Sequence, residues 1–360
     1  MSSQHRRLDF EDQDFFLGID VHKKQWSVTI RHNRIELKTI AGFVPDPKAL
    51  VAYMESNYPN GTYHSVYEAG FCGFWIHRQL EQMGFASMIV NPADVPTRNK
   101  ERINRNDTVD SRKLSRHLEM GELTPIYVPD GYHQQLRSLY RTRRQAVTDQ
   151  TREKNRIKGL LNFNGIAIPP RDELSHWSKA FIGWIQELSL SHAPGDSCLG
   201  HLLGKLGTTR AHLNAITRDL RDYVRGDESL HHLIFKRLMT VPGVGFILAT
   251  ALYAELVDIR RFAKADQLAS FVGLSPAIQQ SDERIYSKRI TPRSHGYLRP
   301  LLIEAAWVAV RQDPALTMAF NDLRKRMPKN QAIVRIARKL LNRIRAVWKT
   351  DRPYRIGTIE

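Results

Sequence analysis

The sequence predicts a chain of the α/β plus α class, with a mixed N-terminal unit followed by a mainly helical remainder. Three observations carry that expectation. Residues 15–128 alternate short apolar runs with stretches of helical periodicity. Beyond residue 133 the chain is polar and basic at helical spacing, with an intermittent apolar stripe. Four acids stand out: Asp20 and Glu68 on predicted strands, where an uncompensated carboxylate is costly, and Asp107 and Asp110 on one face of a predicted helix.

The elements follow in order. Residues 15–21, 25–32 and 34–40 read as three consecutive strands with tight turns, His22-Lys23-Lys24 at the first. The first run, Phe15-Phe16-Leu17-Gly18-Ile19-Asp20-Val21, is apolar except for one carboxylate. Residues 46–58 have helical periodicity and stop near Pro59-Asn60-Gly61. A strand closing on Glu68 follows, then a helix over 73–83 and a strand over 86–91. Three strands, helix, strand, helix, strand is the order of a ribonuclease-H-like α/β fold. Asp107 and Asp110, spaced i, i+3, share one face of a further helix.

Residues 125–131 read as a linker. Residues 133–161 then carry Arg137, Arg141, Arg143, Arg144, Arg152, Lys154, Arg156 and Lys158, which suits a long solvated helix paired with another. Residues 201–225 are its candidate antiparallel partner, and 169–197 mix tryptophans with a Pro/Gly/Ser loop that fits no clear element. A third unit starts near Leu233. Its Val241-Pro242-Gly243-Val244-Gly245 is a helix-hairpin-helix signature, read either as backbone amides approaching a phosphate or as a glycine turn between packed helices. A basic amphipathic helix over 331–349 presents Arg335, Arg338, Lys339, Arg343, Arg345 and Lys349, and the overall charge favours phosphate contact over a merely solvated face.

Composition narrows the partners. Lys and Arg number 54 against 37 Asp and Glu, a formal charge of +17 on 360 residues, and the pI is near 10.0. Such an excess favours a polyanion, because neutralised phosphates release condensed counterions. No apolar run reaches a transmembrane length, and residues 1–14 lack the apolar core of a signal peptide. Cys72 and Cys198 are isolated and give neither a disulfide framework nor a zinc pair. The expectation is a cytoplasmic, nucleoid-associated protein with no membrane partner.

The acids suggest chemistry. Hard oxygen ligands suit Mg²⁺ or Mn²⁺, and several carboxylates from separate elements can hold the ions that assist phosphodiester cleavage. Taken singly, each acid reads as a surface charge or a helix cap. A second candidate lies in the hydroxyl-rich, loop-like segment 273–299, between helices predicted at 263–272 and 297–310. A serine there could attack a phosphate with arginines stabilising the charge. Serines in loops are more often loop residues alone.

Together these residues resemble, over almost the full chain, the DEDD transposases of the insertion-sequence family called one-ten, with its eleven-eleven subgroup. The motifs are Gly18-Ile19-Asp20-Val21-His22-Lys23, Tyr67-Glu68-Ala69-Gly70, Asn91-Pro92 and Asp107-x-x-Asp110. They continue with Pro242-Gly243-Val244-Gly245, Phe271-Val272-Gly273-Leu274-x-Pro276, Tyr297-Leu298-Arg299 and Leu301-Leu302. The resemblance implies a RuvC-like domain over 1–128, a helical coiled-coil connector over 129–232 and a C-terminal transposase domain over 233–360. It implies Asp20, Glu68, Asp107 and Asp110 as Mg²⁺-binding acids, and a structured guide RNA that pairs with donor and target double-stranded DNA. It also implies a nucleophilic serine. Counting from Gly273-Leu274 and from Tyr297-Leu298-Arg299 places it at Ser281. Many members carry a Ser-Ser-Gly-Gly-Lys-like stretch where this chain has Gln280-Ser281-Asp282-Glu283-Arg284, so Ser287 and Ser294 stand as further candidates.

The leading expectation is an RNA-guided DNA recombinase, assembled as a dimer to tetramer through its long helices. The alternatives are a Holliday-junction resolvase-like nuclease in which water attacks, and a nucleic-acid-binding protein whose carboxylates are structural.

Overall fold

The computed structural model describes residues 9–97, 106–226, 230–281, 284–290 and 295–356, with the backbone alone for 230–231, 276–281 and 284–290. The chain forms two compact units, Met1–Val128 and Pro129–Glu360.

Unit 1 is built on a five-stranded sheet of β1 (Asp14–Val21), β2 (Trp26–His32), β3 (Ile35–Phe43), β4 (Thr62–Glu68) and β5 (Ala86–Val90), in the order β3-β2-β1-β4-β5. The first three strands form an antiparallel meander; β4 runs parallel to β1 and β5 parallel to β4. Helices α1 (Pro47–Asn57), α2 (Trp75–Gln82) and α3 (Asp107–Glu119) complete it. The predicted element order is the observed one and is consistent with a ribonuclease-H-like unit.

The side-chain alternation of β1 decides what each face of the sheet packs against. Phe15, Leu17 and Ile19 are fully buried in a cluster with Leu50 and Met54 of α1 and with Ile76 and Leu80 of α2. The intervening residues, Phe16, Gly18 and Asp20, face the other way. On that side Val66 of β4 meets Leu114 of α3, with Val90 and Val95. Gly18 and Val66 are register partners, so Asp20 and Glu68, each two residues on, project from the same face at the carboxyl ends of two adjacent parallel strands.

Helix α3 lies directly on Gly18. A Cβ there would sit 2.1 Å from the Ser111 carbonyl oxygen and 2.4 Å from the Ser115 amide nitrogen. Only a glycine admits so close an approach of helix backbone to strand. Three further ties fix the helix. The Thr29 and Ser111 hydroxyls meet at 2.9 Å, Arg31 Nε donates to Glu119 at 2.7 Å, and Arg112 Nε donates to Glu36 at 2.9 Å.

Unit 2 contains α4 (Gly131–Phe163), α5 (Lys179–Glu187), α6 (Ala193–Gly226), α7 (Leu230–Leu238), α8 (Phe246–Leu256), α9 (Ala265–Val272), the hairpin β6 (Pro276–Ser281) and β7 (Arg284–Ile290), α10 (Leu298–Gln312), α11 (Pro314–Arg324) and α12 (Lys329–Thr350). Helices α4 and α6 pair antiparallel: Arg143 donates to Thr217, and Thr209 to Glu153. At one end of this pair Leu136, Tyr140, Ile216 and Leu220 join the same core as α8, α10 and α12. The connector expected over 129–232 and the domain expected from 233 therefore share one compact unit. At the other end Ile157, Leu161, Leu199 and Leu206 close over Phe181 and Ile185 of α5, which accounts for the tryptophan-bearing segment that sequence patterning left unplaced.

Helix α8 is buried from Leu248 to Leu256, an all-round burial that marks the central helix of a bundle. The turn before it contains Gly243 at φ +81°, where a Cβ would lie 2.2 Å from the Ala305 carbonyl oxygen of α10. Close helix packing thus accounts for this glycine, in line with the scaffold reading of the hairpin signature.

The expected outcome of Gly18→Ala is overpacking against α3 backbone, lowering stability by about 1–3 kcal/mol. Chemical denaturation measures the loss. Hydrogen exchange of the α3 amides should rise in the same variant, and unchanged α3 protection would contradict this account.

Candidate active site

The four predicted acids do come together in unit 1, though as two bridged pairs. His22 follows Asp20 by two residues, at the end of β1. Its Nε2 lies 3.1 Å from Asp20 Oδ2 and 3.5 Å from Asp107 Oδ1. Lys113 Nζ lies 2.9 Å from Asp110 Oδ1 and 3.5 Å from Glu68 Oε1. Each of these two side chains joins a carboxylate on a strand to one on α3. Asn106 caps that helix through a hydrogen bond from Thr108 N, which sets Asp107 and Asp110 in its first turn, where the helix dipole favours negative charge.

Burial differs along the cluster and sets its electrostatics. Asp20 is mostly shielded, and that burial pushes its pKa up; His22 pulls the other way, while the nearby Asp107 charge adds to the rise. The Lys113 side chain is 8 % exposed. Burial works against its charge, but the hydrogen bond from Lys113 to Asp110 and the Glu68 carboxylate outweigh it and hold the pKa above the usual lysine value. Ligand atoms of Asp20, His22 and Asp107 lie within 4.8 Å of one another. Two carboxylates and an imidazole at that spacing fit a divalent cation.

Sequence reading missed His22 and Lys113 as members of the site. Both were signalled by spacing: His22 is i+2 from Asp20, just past the end of β1, and Lys113 is i+3 from Asp110 on a helix.

The second candidate region departs from expectation. Residues 276–290, expected as loop, form an antiparallel hairpin with Gln279 opposite Tyr286 and Ser281 opposite Arg284. Ile278, Ile285, Tyr286 and Ile290 supply the strand-favouring residues that loop-like hydroxyls obscured. Ser281 thus ends β6 beside the hairpin tip, and its side chain lies outside the described residues. The Ser287 side chain and the whole of Ser294 lie outside them as well.

The hairpin leads into a buried ion cluster. Glu255 of α8 is 1 % exposed and accepts two hydrogen bonds from Arg141, at 2.8 and 2.9 Å. Arg137 Nε approaches it to 3.0 Å and His295 Nε2 to 3.2 Å. The Arg141 guanidinium also stacks over Tyr297, 4.8 Å from the ring centre. Helices α4 and α8 and the start of α10 are pinned together by one carboxylate. On α12, Arg338 pairs with Asp266, Arg343 with Asp313, and Arg345 caps the carbonyls of Phe262 and Ala263. Three of the six basic residues expected to face phosphate therefore hold the fold; Arg335, Lys339 and Lys349 are exposed.

Comparison with known proteins gives consistent matches along the chain. A transposase model, that of the IS110 DEDD group, matches residues 17–164. The model of the Transposase IS116/IS110/IS902 family matches residues 235–321, the stretch from α7 through the hairpin into α11. The y4rJ protein of Sinorhizobium fredii is 30 % identical over 306 residues, covering 79 % of this chain and 76 % of its own. The y4qE protein of the same organism is 26 % identical over 82 % of this chain and 72 % of its own. The transposase for insertion sequence element IS1111A of Coxiella burnetii is 24 % identical, over 95 % of this chain and 91 % of its own.

The Glu255 cluster yields a pH-dependent expectation. Burial would raise the Glu255 pKa, but hydrogen bonds from His295 and Arg141 outweigh it and hold it below the ordinary 4.5. A folded pKa below the unfolded one gives stability that is complete above pH 4.5 and is lost as pH falls below it. Glu255→Gln should cost about 3–5 kcal/mol at neutral pH, because it removes the buried charge that holds Arg137 and Arg141. Denaturation midpoints followed from neutral pH down to about 3 should converge for the two proteins at the acid end; parallel curves would contradict this account.

Proposed function

The chain belongs to the IS116/IS110/IS902 family of transposases, enzymes that cut and rejoin DNA, and on that footing we propose that Asp20, Glu68, Asp107 and Asp110 form its catalytic acid cluster. The observation that carries the reading is the convergence of all four acids from β1, β4 and α3, one strand acid bridged to a helix acid by His22 and the other by Lys113. A Mg²⁺ or Mn²⁺ ion bound there would supply Lewis-acid stabilisation of charge on the phosphate. Asp20, Asp107 and His22 are the residues spaced to hold it. Glu68 and Asp110, tied through Lys113, hold α3 against the strand ends, so the acids keep their arrangement without rearranging at each turnover.

The proposed nucleophile is Ser281, supported by its place in the family pattern and by a position at the end of β6. A bond forms between its Oγ and the scissile phosphorus, and the bond from phosphorus to the 3′-oxygen breaks. The serine proton is lost, a proton is gained by the leaving 3′-hydroxyl, and a phosphoserine links protein to DNA. A structured RNA from the mobile element selects donor and target duplexes in this reading, supported by family resemblance and by the chain's +17 charge. The long α4–α6 pair (a coiled-coil connector in this reading) would join protomers into a dimer or tetramer beside the nucleoid.

Four reactions with element-end DNA, target DNA and the flanking RNA test the reading. Ser281→Ala should form no covalent protein–DNA adduct. Asp20→Asn should cut at least about a hundredfold more slowly, and chelation of divalent ions should do the same. Omitting the RNA should abolish target cutting. Normal cutting by Ser281→Ala, with Asp20→Asn inactive, would instead favour a nuclease that uses water.

A further inference from the structure

Beside the acids the chain exposes two aromatic rings that the fold does not use. Phe71 is 63 % exposed and Trp75 44 % exposed, three and seven residues after Glu68. A scattered exposed ring is ordinary, but Phe71 sits in the short loop after β4 and Trp75 opens α2 directly behind it, and that loop is fixed from below. Cys72, next to Phe71, is buried in the core of unit 1. Buried Tyr67 donates its hydroxyl to the Gly73 carbonyl at 3.0 Å and accepts from the His77 amide at 3.3 Å. Gly73, at φ +60°, closes the turn by donating to the Gly70 carbonyl. The loop therefore holds Phe71 outward in one place while its neighbours stay inward.

The β1–β2 turn lies alongside. Lys23 follows Asp20 by three residues, and its ammonium sits 5.8 Å from the centre of the Phe71 ring. Lys24 next to it is also exposed. The carboxyl ends of β1 and β4 thus present acids, a cationic rim and an exposed aromatic surface side by side. A ring at that place offers a nucleobase a stacking partner whatever its sequence, and the lysines suit the adjoining phosphates.

We infer that Phe71, with Trp75, is a stacking platform for an unpaired nucleobase of the DNA strand, and that Lys23 holds the neighbouring phosphate. The inference rests on the reading of the acids as the DNA-cutting site, and goes beyond it by assigning a second binding element. Stacking a base there draws one nucleotide out of the duplex beside the scissile phosphate and sets the strand in register with the acids. The rigid loop means that little ordering cost accompanies the contact.

The test uses the full chain in EDTA, so that no cutting is needed. The probe is a short duplex carrying one unpaired 5-iododeoxyuridine, compared with the same duplex fully paired. After irradiation, the adduct should map by mass spectrometry to the peptide containing Phe71 and Trp75, with several-fold lower yield from the paired probe. The yield should fall about tenfold in the double variant Phe71→Ala, Trp75→Ala and survive in Phe71→Tyr. Unchanged melting of the double variant controls for folding. Asp20→Asn should keep the crosslink while losing cutting, which separates failure here from failure of the catalytic reading. Equal yields from paired and unpaired probes, adducts only elsewhere, or no loss in the double variant would overturn the inference. So would a change in oligomer mass in that variant with the crosslink intact, which would assign the rings to a protein interface.

Discussion

The contact between Gly18 and the backbone of α3 is the constraint on which the rest of unit 1 depends. Asp107 lies one helical turn before Ser111 and Asp110 immediately before it, and Ser111 and Ser115 rest on that glycine. Asp20 lies two residues beyond it on the same face of the strand. A side chain at position 18 would lift the helix, and the acids of α3 would rise away from those of β1 and β4 with it. The glycine does more than permit a turn here; it sets the distance between two elements that each carry half of the acidic cluster.

Four carboxylates drawn this close repel one another, and the chain offsets that cost within itself. Lys113 lies between Glu68 and Asp110, and His22 between Asp20 and Asp107. The first turn of α3 contributes its dipole. Because each of these side chains bridges strand to helix, pairing with the acids also fastens the helix down. Unit 2 uses the same device in reverse: a single carboxylate, Glu255, holds Arg137 and Arg141 of α4 and His295 before α10. Its burial makes it the centre of the arrangement, since removing the acid releases two arginines and a histidine at once.

Charge counted along the chain overstates what is free to meet DNA. Arg338, Arg343 and Arg345 of α12, and Arg137 and Arg141 of α4, belong to internal contacts. Basic residues on an amphipathic helix look alike in sequence whether they face phosphate or a neighbouring carboxylate. The hairpin of residues 276–290 shows the same difficulty for backbone: its isoleucines alternate with serines, glutamines and arginines, and the polar members suggested a loop.

Periodicity by itself determined the strand and helix order of unit 1 and singled out the four acids as candidates, because apolar runs and i, i+3 spacing on a helix are properties of the local chain. Three-dimensional packing decided the rest. His22 and Lys113 entered the site, the α4 helix joined the core of α8, and Phe71 was turned outward above a buried tyrosine. Each of these depends on segments far apart in sequence meeting across a distance that no local pattern encodes: 82 residues separate Thr29 from Ser111, and 114 separate Arg141 from Glu255.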